Sequence, residues 1–341
     1  MKHSFNKEKA FGVELELLIP RSLTQRKIVE LLQEAGVDAR LEGYGHETVS
    51  YWKMTTDCTV KALGFTFHFG NNELVSPKLY GDAGKKELKK VLEILNDADC
   101  RVNKSCGTHV HHDVTDVMLK PQEVAERFLN NLIKTVIKYE HLIYRLIAPS
   151  RLKKVGRGYW TMPARKVFGK LNSYNTDISL DSIINQINKN IKTDCDNKYS
   201  PNFAPTESNL GGGRPNWTQN DRYCGLNLQN IWTRGSVEFR YHQGTLNFEK
   251  LWAWIVFTQA FVNVSEINKS VNFKVQKDQH GMFHLRKAIG FIGSKDRCDE
   301  YKFANKVITR RFKEMTTAQM NRSRSTTKYY YTIKEQLKRG I

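Results

Sequence analysis

Apolar and polar positions change period several times along the chain, and each change marks an element. Residues 10–20, AFGVELELLIP, alternate with the period of two that a half-buried strand requires and stop at Pro20. TQRKIVELLQEAG (24–36) then shows a helical stripe, with Thr24 placed to cap it and Gly36 to end it. Residues 46–78 read as short strands with turns: ETVSYWKMTTD, a run through GFTFHF, then NNELVSP. KKELKKVLEILND (85–97) predicts a helix with Leu88, Val91, Leu92 and Leu95 on one side, and GTHVHHDV (107–114) alternates again. Pro121 opens a long helix whose apolar positions are Val124, Phe128, Leu132, Val136, Tyr139 and Ile143.

From about 150 to 222 the pattern weakens to one expected helix, LDSIINQINKNI (180–191), and a polar stretch containing GGGRP. CGLNLQNIW and SVEFRYHQG read as two strands of a hairpin joined at Thr233-Arg234-Gly235. Asn247 caps the apolar helix FEKLWAWIVFTQAFVNV, and the chain after 300 is polar, basic and helix-compatible. Antiparallel strands with interspersed helices predict an α+β fold rather than a doubly wound parallel sheet. One domain is expected over 1–300, with a helical and loop insertion at about 114–221, followed by a basic extension over 301–341.

Composition changes this picture little. At 40% hydrophobic and 11% aromatic residues, the 341-residue chain can build a core and is not disordered. The first twelve residues, MKHSFNKEKAFG, hold no apolar signal-peptide core. Leu251 to Val264 is too short, and too polar at Thr258 and Gln259, to span a bilayer. A soluble cytoplasmic protein without membrane contact is expected. Six cysteines without a CxxC pair argue against a disulfide framework or a cysteine zinc site. Net charge changes more: it is +19, of which residues 301–341 supply +9 through eleven Lys/Arg against two Asp/Glu. Such a field attracts anions without choosing among nucleotides, acidic polymers and nucleic acid. The basic tail suits nucleic acid or an acidic polymer, and equally a solvated helical appendage.

Candidate chemistry sits on the strands. Glu14 and Glu16 in GVELE share one strand face, with Cα atoms about 6.5–7 Å apart, and would repel if buried unpaired. A divalent cation such as Mg²⁺ or Mn²⁺ resolves that repulsion; a solvated edge strand is the plainer explanation. His109 and His111 in CGTHVHHD repeat the design with imidazoles, which ligate metals or contact phosphate, or are simply half-exposed. Glu73 in NNELVSP and Asp57 in TTDCT are single acids in strand and turn contexts. Glu238 and Arg240 in EFRYHQGT again share a face, as a surface salt bridge or as a metal ligand beside a phosphate-binding fork. In order along the chain, these motifs supply carboxylates and imidazoles for cations and guanidiniums for phosphates. Cys106, Cys224, Trp252 and Trp254 read as core residues, and GGGRP with Arg214 as a flexible turn.

GVELE, the segment from Trp52 to Pro77 ending ELVSP, CGTHVH, and the run from YCGLNL to VEFRYHQGTLN resemble the amidoligases. These belong to the carboxylate–amine ligase superfamily with glutamine synthetase and γ-glutamylcysteine synthetase. The resemblance covers residues 11–80, 106–113 and 222–260. It implies a curved antiparallel sheet of glutamine synthetase type, with helices on its outer face and ATP and Mg²⁺ or Mn²⁺ on its concave face. ATP would convert a substrate carboxylate into an acyl phosphate that an amine attacks. By the same resemblance, Glu14, His109 and Glu238 would hold one ion, and Glu16 with Glu73 another. His111 would lie near the nucleotide phosphates, and Arg222 and Arg240 would neutralise the transferred phosphoryl group. Asp57 could orient or deprotonate the attacking ammonium. Such enzymes act on peptides, cell-wall peptides or protein side chains, and the positive field fits an acidic substrate. A metal-dependent hydrolase or nuclease remains the alternative, since ExE, HxH and a basic surface also serve phosphodiester cleavage. A non-catalytic basic protein binding nucleic acid is another.

Overall fold

The computed structural model describes residues 4–43, 45, 48–62, 67–152, 154–155, 158–159, 161, 163–164, 168, 224–271 and 281–321. The expected helix at 180–191, the GGGRP turn, Arg222 and the end of the basic tail lie outside them.

Strand β1 (Phe11–Pro20) forms where the period of two was clearest. On it, Phe11, Val13, Leu15 and Leu17 are buried in the core, while Glu14 and Glu16 occupy the opposite face. Around it lie β2 (Ala39–Leu41), β3 (Trp52–Thr55), β4 (His68–Val75), β5 (Gly107–Asp113), β8 (Leu226–Asn227) and β9 (Ser236–Gln243). They make a seven-stranded sheet in the order β2-β3-β4-β1-β5-β9-β8. Only the β2–β3 pair is parallel, so the sheet is mixed rather than wholly antiparallel. Strands β6 (Lys154–Val155) and β7 (Gly158–Tyr159) form a separate two-stranded ribbon.

Helices cover the apolar face. They are α1 (Gln25–Glu34), α2 (Gly81–Asp97), α3 (Thr115–Met118), α4 (Gln122–Ile143), α5 (Asn230–Arg234), α6 (Phe248–Ile267), α7 (Met282–Ala288) and α8 (Asp299–Asn321). Thr24 caps α1 by accepting from the Lys27 amide, as its position predicted. Helix α2 begins four residues before the expected start, because its first turn holds two buried glycines that propensity alone leaves out. Helix α6 is buried almost all round, as a helix lacking a polar stripe must be. It lies directly beneath the central strands: Trp252 packs edge-on against Phe11, Phe261 packs against Phe239, and Thr258 Oγ1 is 2.8 Å from His112 Nε2. Helix α4, at the start of the segment expected as an insertion, shares this core through Phe128, Leu132 and Val136. So does α8 after residue 300, through Tyr301, Ala304 and Ile308. No helix among the described residues is long and apolar enough to cross a membrane.

The hairpin expected over CGLNLQNIW and SVEFRYHQG forms only in part. Strand β8 pairs antiparallel with β9 for two residues, then the chain turns into the short helix α5. Asn227 causes the turn: its side-chain oxygen accepts from the Gln229 amide at 3.0 Å, drawing the backbone out of the ladder. Gly235, at φ 65°, ends α5 in the left-handed conformation and redirects the chain into β9.

The Asn247 side chain accepts from the Lys250 amide at 3.0 Å and caps the helix on which the sheet rests. Asn247→Ala should therefore lower the unfolding free energy by about 1 kcal/mol without changing the denaturant slope, measured by urea unfolding.

Candidate active site

Sheet register brings the strand motifs together on the face opposite α6. Glu14 stands directly across from His109, Glu16 across from Glu73, and His111 across from Glu238. Directly opposed side chains on one face lie within contact distance, so four strands converge on one cluster. A register shift between Thr108 and Val110 on β5 turns the strand locally where His109 meets β9.

Glu16 and Glu238 are each held through one oxygen by neutral donors and turn the other toward the charged groups of the cluster. Glu16, 4% exposed, accepts the Gly107 amide on Oε2 at 2.6 Å, while its Oε1 is 3.4 Å from His109 Nε2. Glu238, 2% exposed, accepts from Asn227 Nδ2 and Asn230 Nδ2 on Oε2, both at 2.7 Å. Its Oε1 meets Arg240 Nη1 and lies 3.5 Å from His109 Nδ1. Glu14 bonds His109 Nδ1 through Oε2 at 2.8 Å, and His111 Nε2 and Arg234 Nη1 through Oε1 at 3.2 and 3.3 Å. Glu238 and Arg240 thus form a buried ion pair, where independent metal and phosphate contacts had been expected.

Buried carboxylates in these numbers distort one another's titration. Burial pushes Glu73 well above its ordinary value of 4.5, and the charges of Glu14, Glu16 and Asp57 push it further. Burial acts the same way on Glu14, yet its hydrogen bonds to His109 and His111 hold it well below the ordinary value. For Glu238, burial again raises, and Arg240 together with His111 and His109 outweighs it, leaving the carboxyl lowered. Arg240, desolvated but facing Glu238, Glu14 and Glu16, is raised and stays charged.

The donor set fits divalent cations. Ligand atoms of Glu14, Glu73 and His109 lie within 4.8 Å of one another, as do those of Glu14, His111 and Glu238, and those of Glu16, Asp57 and Glu73. The groups overlap at Glu14 and Glu73, as adjacent ions bridged by shared carboxylates require. Hard oxygens with imidazole suit Mg²⁺ or Mn²⁺. His109 Nε2 is buried with no hydrogen-bond partner among the described residues, and metal coordination would satisfy it. Asp57 also accepts the Thr59 amide on Oδ1 at 2.7 Å, which fixes its turn.

Four contributors escaped sequence reasoning. Asn227 and Asn230 orient Glu238 from a segment read as strand. Arg234, taken for a hairpin turn, reaches Glu14. Arg151, in the turn over Pro149–Leu152, is 3% exposed and donates Nη2 to the Arg240 carbonyl at 3.0 Å. Burial lowers Arg151 to about 10, opposed by Glu16 and assisted by Arg240. Its guanidinium lies against Gly107 so closely that a Cβ there would stand 2.8 Å from Nη1 and Nη2. The close approach explains the glycine of CGTHVH. No disulfide joins the described cysteines, Cys106 and Cys224 are buried, and Trp252 and Trp254 are core residues.

Oxygen-rich cation groups beside guanidiniums on one sheet face could stabilise the charge that develops in phosphoryl or acyl transfer. The chain belongs to the amidoligase family: the model described as "Putative amidoligase enzyme" matches residues 7–262. No curated protein matches. A bifunctional glutathione synthetase from Pasteurella multocida superposes with a TM-score of 0.39 at 11% identity, covering 91% of this chain and 47% of that one. The complex of the prokaryotic ubiquitin-like protein Pup with its ligase PafA gives 0.34 at 9% identity, covering 93% and 65%. This chain spans less than two thirds of either structure, and neither likeness is close enough to bear on the site.

Glu73 supplies a pH test. Its raised value means that the ion-free fold takes up a proton there more readily than the unfolded chain. The stability this contributes is full below about pH 4.5 and is lost as pH rises through the folded-state value. Glu73→Gln should therefore melt about 2 °C or more above wild type near pH 8 in EDTA, the two converging near pH 4. Scanning calorimetry checks this; a lower melting point at the higher pH would contradict the repulsion.

Proposed function

We propose that this chain is an ATP-dependent, ADP-forming carboxylate–amine ligase. A carboxylate oxygen of the substrate attacks the γ-phosphorus, ADP leaves, and the resulting acyl phosphate is attacked by an amine. Phosphate then departs, the amine's proton passes to a base, and an amide or peptide-like bond remains. The observation that carries this reading is the set of three overlapping cation groups on one sheet face of an amidoligase-family chain. Mg²⁺ or Mn²⁺, when bound, would neutralise phosphate charge and polarise the transferred phosphoryl group.

The chain's residues divide the remaining work by position. Glu14, His109, His111 and Glu238 form the side that would hold an ion against the nucleotide phosphates. Glu16, Glu73 and Asp57 form the other side, nearer the acceptor carboxylate. Arg240, permanently charged, neutralises the phosphoryl group once a ligand draws it from Glu238. Asp57, set at a turn and half-buried, is the base positioned for the incoming ammonium.

The test does not require the substrate. Thermal unfolding should show a Mg²⁺-dependent shift with ADP or a non-hydrolysable ATP analogue, worth about 2.7 kcal/mol at a hundredfold excess over Kd. Glu16→Gln should lose most of it. Phosphate release on screening carboxylates with hydroxylamine as the amine would then establish the chemistry. A well-folded protein indifferent to nucleotide would overturn the ligase reading and return attention to metal-dependent hydrolysis.

A further inference from the structure

Arg234 lies between YCGLNL and VEFRYHQGTLN, in the stretch that carries the family resemblance but with no role assigned there, and its Nη1 is 3.3 Å from Glu14 Oε1. That oxygen belongs to the carboxylate shared by two of the three candidate cation groups. Arg234 is the last residue of α5, and the next residue, Gly235, is firmly held: its carbonyl accepts from the Val114 amide at 2.8 Å and from Thr115 Oγ1 at 3.3 Å. The backbone is thereby anchored, while the Arg234 side chain remains 19% exposed. No other polar partner of this guanidinium occurs among the described residues.

We propose that Arg234 is a built-in counter-cation, which neutralises Glu14 in the ion-free protein, yields it to the metal, and passes to the nucleotide phosphate. The inference rests on the metal–nucleotide reading above and adds a coupling that the reading does not require. A divalent ion ligated by Glu14 and a guanidinium on the same oxygen repel at contact distance, so the two compete for it. A metal arriving alone must displace Arg234 and leave its charge unpaired beside the new ion. A nucleotide arriving alone meets a guanidinium already engaged. Arriving together, they satisfy every charge, because phosphate accepts the guanidinium fork that Glu14 releases. Arg240, on Glu238 and 11% exposed, stands in the same relation to the neighbouring carboxylate. Binding of metal and nucleotide is therefore mutually reinforcing, and by linkage each raises the other's affinity by the same factor.

Mn²⁺ binding to the full chain, followed by the paramagnetic resonance of free Mn²⁺ with and without saturating ADP and referred to protein-free titrations that give the Mn²⁺–ADP complex, measures this. Wild type should bind Mn²⁺ about tenfold tighter with ADP present. Arg234→Met should bind Mn²⁺ alone several-fold tighter than wild type, and its gain from ADP should fall below about threefold. Arg234→Lys, a second variant preserving charge and bulk, should keep the weak metal binding of wild type while losing part of the coupling. A general loss of positive charge would strengthen Mn²⁺ binding equally with and without ADP, so an intact coupling in Arg234→Met overturns the proposal. Unchanged metal affinity of Arg234→Met without nucleotide overturns it too, as does Arg234→Lys matching Arg234→Met. Wild type that takes up no Mn²⁺ would instead remove the metal site itself, and the proposal with it.

Discussion

Burying carboxylates together is the constraint on which the rest of this structure depends. Glu14, Glu16, Glu73 and Glu238 share one face of the sheet, two of them almost without solvent contact. A cluster of this kind persists only where opposite charge and hydrogen-bond donors are supplied locally. The chain supplies them from every side: a backbone amide at Gly107, two asparagines on Glu238, imidazoles on Glu14, and guanidiniums from Arg234 and Arg240. One oxygen of Glu16 and one of Glu238 are secured by fixed neutral donors, which leaves each other oxygen for an exchangeable partner. That division separates a binding site from a merely compensated core.

The sheet makes the division possible because its two faces have different duties. On β9, Val237, Phe239 and Tyr241 are buried in the core while Glu238 and Arg240 face the cluster. A one-residue slip would exchange these sets and place both charges in the core, so core packing enforces the site's register. His112 shows the limit of the alternation. It belongs to the core face, where burial holds it neutral and lowers it well below its ordinary value, and it bonds Thr258 of α6 rather than joining His109 and His111.

Legibility in the sequence followed periodicity. Strands β1, β5 and β9, the caps of α1 and α6, and the acids and imidazoles of ExE, HxH and ExR were all readable because alternation assigns each residue to a face. Contacts between elements were not. Arg151 reaches the site from a short turn in the stretch where the pattern weakened, 89 residues away in sequence from the carbonyl it bonds. Asn227 and Asn230 looked like strand residues, and only the turn at Asn227 brings both amides to Glu238. Arg234 failed to register because an arginine before a glycine reads as a turn. The glycine of CGTHVH was visible, but its reason was not, since the guanidinium against it comes from elsewhere in the chain.

The charge cluster is therefore a compromise held by the remainder of the molecule. Glu73 is driven toward its protonated form by its neighbours, and Glu238 is claimed by an arginine that phosphate chemistry would need. Burying such charges costs solvation that their partners offset only with good geometry, and replacing a whole buried pair by well-packed apolar groups is often neutral or stabilising. The continuous core beneath the sheet, from Phe11 and Trp252 to Phe239 and Phe261, supplies the rigidity that keeps the charges in register. Local conflict between sequence and stability is concentrated on one face of four strands, and its relief requires added positive charge near the carboxylates and added negative charge near the arginines. A metal ion with a phosphorylated ligand supplies both at once, which is the physical reason to look for the two together rather than for either alone.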